Sequence, residues 1–366
     1  MDIYSILACP NCRTKVQRSD DKIVCVSCKM EYPIVNGVPV MLPDGRVPEY
    51  THQKDLSVRE GYDPWIPRQV IRSLLDNQVV LDVGAGNMTL DDPCIIRMDI
   101  TLTPYVDIVA DMHHLPFLPG SFDYIFSLAV MEHLNNPFQA AQSVYETLKD
   151  GGLIYHECNF IWPYHGFPHH YFNASVQGIE SVFNEFVKLK SGVAPYQMPS
   201  LVLNSIIDTF LNVSGIDLHA HGQPLAKLLK RVQKETTTAH DIYFDEQSAQ
   251  ILAAGVYYSG YKQLNEDSTI VPEVIKNIWK RDPELQARIP HLNDLTREQN
   301  IMAWAQTKGR EKHPEIDEYI RQMKPFNKSG DPDRSNRDAI RQLPFFEPRF
   351  GAIGFKPDDP LESKQE

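Results

Sequence analysis

Four cysteines stand near the start of the chain as two pairs, Cys9-Pro10-Asn11-Cys12 and Cys25-Val26-Ser27-Cys28, with twelve residues between the pairs. Two such knuckles at this spacing make a tetrahedral four-thiolate set, the closed ligand shell of a structural zinc ribbon. Rubredoxin-like iron and a disulfide pair are the alternatives. About forty residues cannot bury enough apolar surface to fold alone, so a bound metal would supply much of the folding energy here. A second segment, Asp82-Val83-Gly84-Ala85-Gly86, closes a β-branched apolar run. Glycines at a strand end let a ligand approach the backbone, and Asp99, after the next apolar run, stands where a carboxylate could grip a ribose. Nicotinamide-binding sheets share that pattern. Histidines form the third concentration: seven of the thirteen fall between His113 and His170, most densely in Tyr164-His165-Gly166-Phe167-Pro168-His169-His170-Tyr171.

Alternating strands and helices must position these groups. Apolar runs at residues 79–83, 95–98, 107–110, 124–128 and 153–157 read as strands buried on both faces. A helix over 66–75 has Ile66, Val70, Ile71, Leu74 and Leu75 on one stripe. Another is capped by Asn136 with Pro137 at its first position, is expected to bury Phe138, Ala141, Tyr145 and Leu148, and ends at Gly151-Gly152. The alternation predicts a doubly wound α/β sheet. Only eight residues, Asn87 to Cys94, separate Gly86 from the second strand. A crossover with its helix needs about ten to twelve, so another segment must supply one wall of the site, and the cysteine ribbon is a candidate. Further along, an edge strand over 183–189, a helix over 201–211 and a segment over 245–263 that splits into a helix and an edge strand near Ala254 are expected.

Two resemblances sharpen this outline. Leu7-Ala8-Cys9-Pro10 with Tyr32-Pro33-Ile34-Val35-Asn36-Gly37-Val38-Pro39-Val40-Met41-Leu42 resembles the small zinc-ribbon activator subunit of tRNA, rRNA and protein methyltransferases. That resemblance covers about 1–43 and implies structural Zn2+ on Cys9, Cys12, Cys25 and Cys28, in a domain that docks on a methyltransferase. The glycine segment then combines with 110–117, Gly120-Ser121-Phe122-Asp123, Val130-Met131-Glu132-His133-Leu134 and Leu148-Lys149-Asp150-Gly151-Gly152. This set resembles the class I S-adenosylmethionine-dependent methyltransferases of the type 11 group. It implies a Rossmann-like sheet with S-adenosylmethionine as donor. Asp82, Gly84 and Gly86 would cradle the amino-acid part, Asp99 the ribose, Asp111 and the Met112 backbone the adenine, and Ser127 with 130–133 the sulfonium side. Met88 stands where the group has a third glycine. The histidine segment resembles "GYHxDPHDYxRFT" of a subset of these enzymes, with His170 in place of an acid and Asn173 in place of an arginine.

An oxygen acceptor must lose its proton, and histidine suits that role. His169 is the first candidate for general base, then His133 and His165; each also reads as a hydrogen-bonded loop or cap histidine. A second metal site at His165, His169 and His170 is a further option, and Glu132 is expected to orient its loop rather than titrate. The domains are expected at 1–43 (ribbon), 44–64 (linker), 65–262 (methyltransferase), 263–323 (helical extension, with Trp279 and Trp304 as anchors) and 324–366 (extended tail). No apolar run approaches the 18 or so residues of a membrane span, and no charged-then-apolar leader is visible, so a cytoplasmic protein is expected. Cys94 and Cys158 are expected as core thiols. The net charge of −12 argues against a phosphate-tracking surface while leaving room for a local basic groove. The favoured function is O-methylation of a small molecule or sugar. Methylation of tRNA, rRNA or a translation factor is the alternative within the enzyme class, and a non-catalytic donor-binding scaffold the alternative outside it.

Overall fold

The computed structural model describes residues 2–49, 58–59, 61–62, 65–166, 169–213, 223–236, 241, 244 and 246–263. The expected helical extension and tail beyond 263, with Trp279 and Trp304, lie outside them. Four short strands build the ribbon: β1 (Val16–Arg18), β2 (Lys22–Cys25), β3 (Glu31–Val35) and β4 (Val38–Pro39), antiparallel in that order. The residue after each knuckle, Arg13 and Lys29, takes the left-handed conformation (φ 61° and 62°), which turns the chain back past the cysteines.

After β5 (Val58–Arg59) and α1 (Trp65–Ser73) come β6 (Val80–Val83), β7 (Asn87–Met88), β8 (Ile95–Asp99), β9 (Ile108–Val109), β10 (Phe122–Leu128), α2 (Pro137–Thr147) and β11 (Leu148–Asn159). The chain continues through α3 (Val176–Val182), β12 (Val187–Gly192), α4 (Pro199–Val213), α5 (Gln223–Glu235), α6 (Glu246–Ile251) and β13 (Gly255–Tyr261). Seven strands form the main sheet in the order β12-β13-β11-β10-β6-β8-β9, parallel except where β13 meets its two neighbours. The central strands are apolar on both faces because each face is covered, one core cluster containing Leu81 and Ile125 and the other Val80 and Tyr124. From β6 the sheet grows outward through β8 and β9, then restarts on the other side with β10. The C-terminal ends of β6 and β10 therefore flank the crevice where the strand order reverses, the place where open α/β sheets bind ligands.

Three expectations change in detail. The buried face of α2 is Ala140, Ala141, Ser143, Val144 and Thr147, whereas Phe138 is 58% exposed. Small residues face inward because the short turn Met112–His114 lies close to the helix, and the Ser143 hydroxyl accepts the Leu115 N–H at 2.9 Å. Leu148 and Gly151-Gly152 belong to β11, not to the helix end. Phe183 follows α3, so the edge strand begins at Val187; β13 is not an edge, since β12 covers it.

The ribbon docks on the other end of the sheet. Val40 bridges Val109 in parallel fashion and the Met41 N–H donates to the Val109 carbonyl at 2.7 Å, which covers the open side of β9. Ala8 and Leu118 exchange backbone bonds with Pro116 and Ile6, both 2.8 Å. Leu7, Tyr32 and Met41 share one apolar cluster with Met112, Leu115 and Phe117. Arg13 pins the joint, donating to the Leu115 carbonyl at 2.6 Å and pairing with Glu146 at 2.5 Å. No helix among the described residues is long and apolar enough to cross a membrane.

Replacing Arg13 with alanine should cost about 1–2 kcal/mol of stability through the lost carbonyl bond. Glu146→Ala should cost well under about 1 kcal/mol, because that ion pair is solvated. Urea midpoints of the two variants check the difference, and equal losses would show that the ion pair is what matters.

Candidate functional site: a cavity at the ends of β6 and β10

A cavity of about 930 Å³ opens at the crevice. Its floor is the turn after β6. Gly84 has φ +72°, and a Cβ there would fall 2.2 Å from Val130 Cγ2, so only glycine fits between turn and wall. Gly86 has φ +56° with open space in front of it. Behind it, its N–H donates to Asp99 Oδ2 at 2.8 Å and its carbonyl accepts from Thr103 Oγ1 at 3.0 Å. The second Asp99 oxygen holds the backbone and hydroxyl of Thr101 at 2.9 and 2.7 Å. Asp99 therefore shapes the turn and lines the cavity with the same carboxylate.

The missing crossover helix is replaced from the linker, not from the ribbon. β5 pairs in parallel with β7, and Arg59 reaches behind the glycines to the carbonyls of Gly84 (3.2 Å) and Ala85 (3.0 Å). The same guanidinium stands 3.5 Å from Asp82 Oδ2. Asp82 is fully buried beneath the turn rather than in the cavity wall, and burial raises its pKa against the pull of Arg59. Met88 is also fully buried, filling core space where a third glycine would leave a gap.

Asp111 and Met112 line the next wall. Burial works to raise the Asp111 pKa, but bonds from the His113 ring (2.6 Å) and backbone N–H (2.9 Å) outweigh it and lower it, keeping an ionised acceptor at the rim. Ser127 departs from expectation. It is fully buried in β10 with no hydrogen-bond partner among the described residues, and it does not face the cavity.

Titratable and aromatic groups also line the cavity. Glu157, at the end of β11, lines the cavity and is held by the hydroxyls of Tyr155 (2.5 Å) and Tyr196 and by the Gln197 amide (3.4 Å). Sequence reasoning missed Glu157 and Arg59. A carboxylate ending a buried central strand was one available signal, and the short 87–94 connection was the other.

His133 and His169 both line the cavity, while His165 does not. Burial lowers the His133 pKa, so its ring is neutral near pH 7, and its Nδ1 lies 2.6 Å from the His169 carbonyl. His165, His169 and His170 do not form a ligand set. His170 is occupied on both nitrogens, by the His165 N–H (3.2 Å) and by Asn173 Oδ1 (2.7 Å). Glu132 gathers with His133 and His165 instead. It is fully buried, and burial raises its pKa to about 7 despite the bond from Asn159. His156, fully buried in β11, has its pKa pushed down to about 3 and stays neutral.

In the ribbon, Cys9 and Cys28 sulfurs are 3.6 Å apart, Cys12 and Cys25 3.4 Å, and all four lie within 4.8 Å of one another. Zn–S bonds of about 2.3 Å require sulfur separations of roughly 3.8 Å, so the set fits a tetrahedral ion and is far too open for disulfides. Backbone N–H groups of Ser27 and Cys28 point at the Cys25 sulfur, each at 3.4 Å, as expected around a metal-bound thiolate.

Known proteins match this chain in two places. The Trm112p-like protein family model matches residues 2–37, and a methyltransferase domain model matches residues 94–156. A UPF0434 protein of Coxiella burnetii is 46% identical over 48 residues, which is 13% of this chain and 86% of that protein. The tRNA (carboxymethyluridine(34)-5-O)-methyltransferase of Schizosaccharomyces pombe is 29% identical over 119 residues, 28% of this chain and 50% of that protein. The chain thus spans about half the length of the curated methyltransferase relatives it matches. Among solved structures, phosphoethanolamine N-methyltransferase 2 of Haemonchus contortus with S-adenosyl-L-methionine aligns at 15% identity and TM-score 0.31, over 55% of this chain and 53% of that one. With its sheet order and glycine turn in agreement, the chain carries a methyltransferase domain matched over residues 94–156 and a Trm112p-like domain at its N-terminus.

Proposed function

We propose that the protein methylates an oxygen of a small molecule or sugar held in the cavity, using S-adenosylmethionine. The observation that carries this proposal is that the glycine turn, Asp99, Glu157, His133 and His169 all line one cavity. When bound, the donor supplies an electrophilic methyl group on a sulfonium.

The residues present fit that donor. The Gly84–Gly86 turn leaves open backbone for its amino-acid part, with Asp82 and Arg59 fixing the turn from beneath. Asp99 retains lone pairs for ribose hydroxyls, and ionised Asp111 with the Met112 backbone meets the adenine edge. Glu157, oriented by two tyrosines, accepts a hydrogen bond from an acceptor hydroxyl and so aims its oxygen. His169 takes the proton, with His133 beside it as the second candidate base. Zinc on Cys9, Cys12, Cys25 and Cys28 acts at a distance: it folds the ribbon, and the ribbon braces the 111–118 loop that carries Asp111 and Met112.

A carboxylate in the acceptor wall and a net charge of −12 disfavour a phosphate backbone. The relative named as a tRNA methyltransferase motivates the RNA reading. Incubation with labelled donor and fractionated cell extract separates the two. Label in a metabolite or glycan fraction is expected, and label in RNA would overturn the small-molecule acceptor.

Asp99→Ala should weaken binding of S-adenosylhomocysteine by about 10- to 150-fold, the loss of charge-assisted hydrogen bonds worth roughly 1.5–3 kcal/mol. Calorimetry checks this, and unchanged affinity would remove the ribose assignment. No binding by the unmodified protein would favour the scaffold alternative. Chelating the ribbon metal should unfold 1–43 and reduce donor affinity through the 111–118 loop; a zinc-stripped protein that binds donor normally would refute the bracing role.

A further inference from the structure

We propose that Glu132, His133 and His165 form a second metal site, for a divalent first-row transition metal, beside the acceptor wall of the cavity. Each of the three offers a ligand atom, and these atoms lie within 4.8 Å of one another. Two imidazoles and one carboxylate form a recognised ligand set that leaves coordination positions open.

The surroundings prepare all three for that role. The Nδ1 atoms of both histidines face backbone carbonyls, His133 that of His169 at 2.6 Å and His165 that of Pro163 at 3.1 Å. Donation to a carbonyl fixes the tautomer, leaves Nε2 with its lone pair, and is the usual orienting bond of a metal-ligating histidine. Glu132 Oε1 is held by Asn159 Nδ2 at 2.6 Å, while Oε2 is buried with no hydrogen-bond partner among the described residues. Within those residues the only ion-pair partner of this fully buried carboxylate is His165, its Nε2 3.9 Å from Oε1. A buried carboxylate is expensive unless it is paired or coordinates a metal.

Metal–ligand bonds of about 2.0–2.2 Å require ligand atoms to stand roughly 3 Å apart, so the 3.9 Å between His165 Nε2 and Glu132 Oε1 must close by about 1 Å. The His165 side chain is 41% exposed and free to make that movement. The other nearby histidine, His170, is excluded because both its nitrogens are taken. His133 belongs to the cavity wall, so an acceptor oxygen entering there can occupy an open position on the ion. The ion would lower the pKa of that oxygen, and the proton would pass to His169. This role rests on the methyl-transfer proposal; the binding claim does not.

The test uses the full chain with its four-cysteine site already loaded with zinc, titrated with cobalt(II) under anaerobic conditions. A second equivalent should bind with weak visible absorption and without thiolate charge-transfer bands. His165→Ala and Glu132→Gln should each weaken that equivalent at least about 100-fold, and circular dichroism confirms that the fold persists. Since His165 is half-exposed, its variant keeps the test valid if Glu132→Gln fails to fold. A wild-type protein that takes no second equivalent, or one whose second equivalent survives His165→Ala, overturns the proposal. S-adenosylhomocysteine calorimetry on the same samples reports separately on the methyl-transfer proposal.

Discussion

The guanidinium of Arg59 is the contact on which the donor side of this protein depends. It bridges a fully buried carboxylate, Asp82, and the carbonyls of the glycine turn, tying a linker to a strand end that has no crossover helix. Buried ion pairs recover little net stability because desolvation offsets the Coulomb gain. What this one supplies is position. Without the linker strand, the turn would be held only from the Asp99 side, and the backbone facing the cavity would lose its second anchor. Asp82 would then be left as an uncompensated buried charge, which is far costlier than the pair is beneficial.

The ribbon performs the corresponding task at the opposite end. It does not enter the cavity; it covers the open side of β9 and bonds to both ends of the 115–118 segment. The residues it steadies are continuous with Asp111 and Met112. A metal bound by the ribbon cysteines would therefore reach the cavity through the packed 111–118 segment and not by direct contact. A ribbon that is a separate subunit pays translational entropy to dock. A ribbon joined by a short linker avoids most of that cost, and here the same linker also delivers Arg59.

Much of the architecture was legible because it rests on local chemistry. Cysteine spacing, β-branched runs and the Asn136-Pro137 cap report directly on the elements they form. The site was legible where a backbone requirement demanded a residue type, as at Gly84, and where a carboxylate ended a strand, as at Asp99. It was illegible where the determinant was long-range. Phe138 looked buried by helical spacing, yet the close approach of 112–114 turned the smaller residues inward. Ser127 follows the alternation of a strand that is covered on both faces, so nothing in its sequence context distinguishes core from cavity. Arg59 lies in polar text whose importance emerges only from pairing with Asn87 and Met88. The histidine cluster was visible as a cluster, but its membership was set by which nitrogens the backbone had already claimed.

Charge gives the site its remaining logic. Asp99, Asp111 and Glu157 face one cavity, and Glu132 lies just behind it. Burial raises the Glu132 pKa, and the Glu157 charge adds to that shift. Of the described cations that line the cavity, Arg59 pairs with Asp82 and Arg46 with Asp44. A sulfonium in the cavity would share that space with Asp99, Asp111 and Glu157, and a divalent ion on the histidine side would stand beside Glu132. The proposed methyl transfer would consume the first of these charges, since the sulfonium becomes a neutral thioether. Product would then be held less tightly than donor by the same carboxylates, and the electrostatics that assemble the reactants would also favour release.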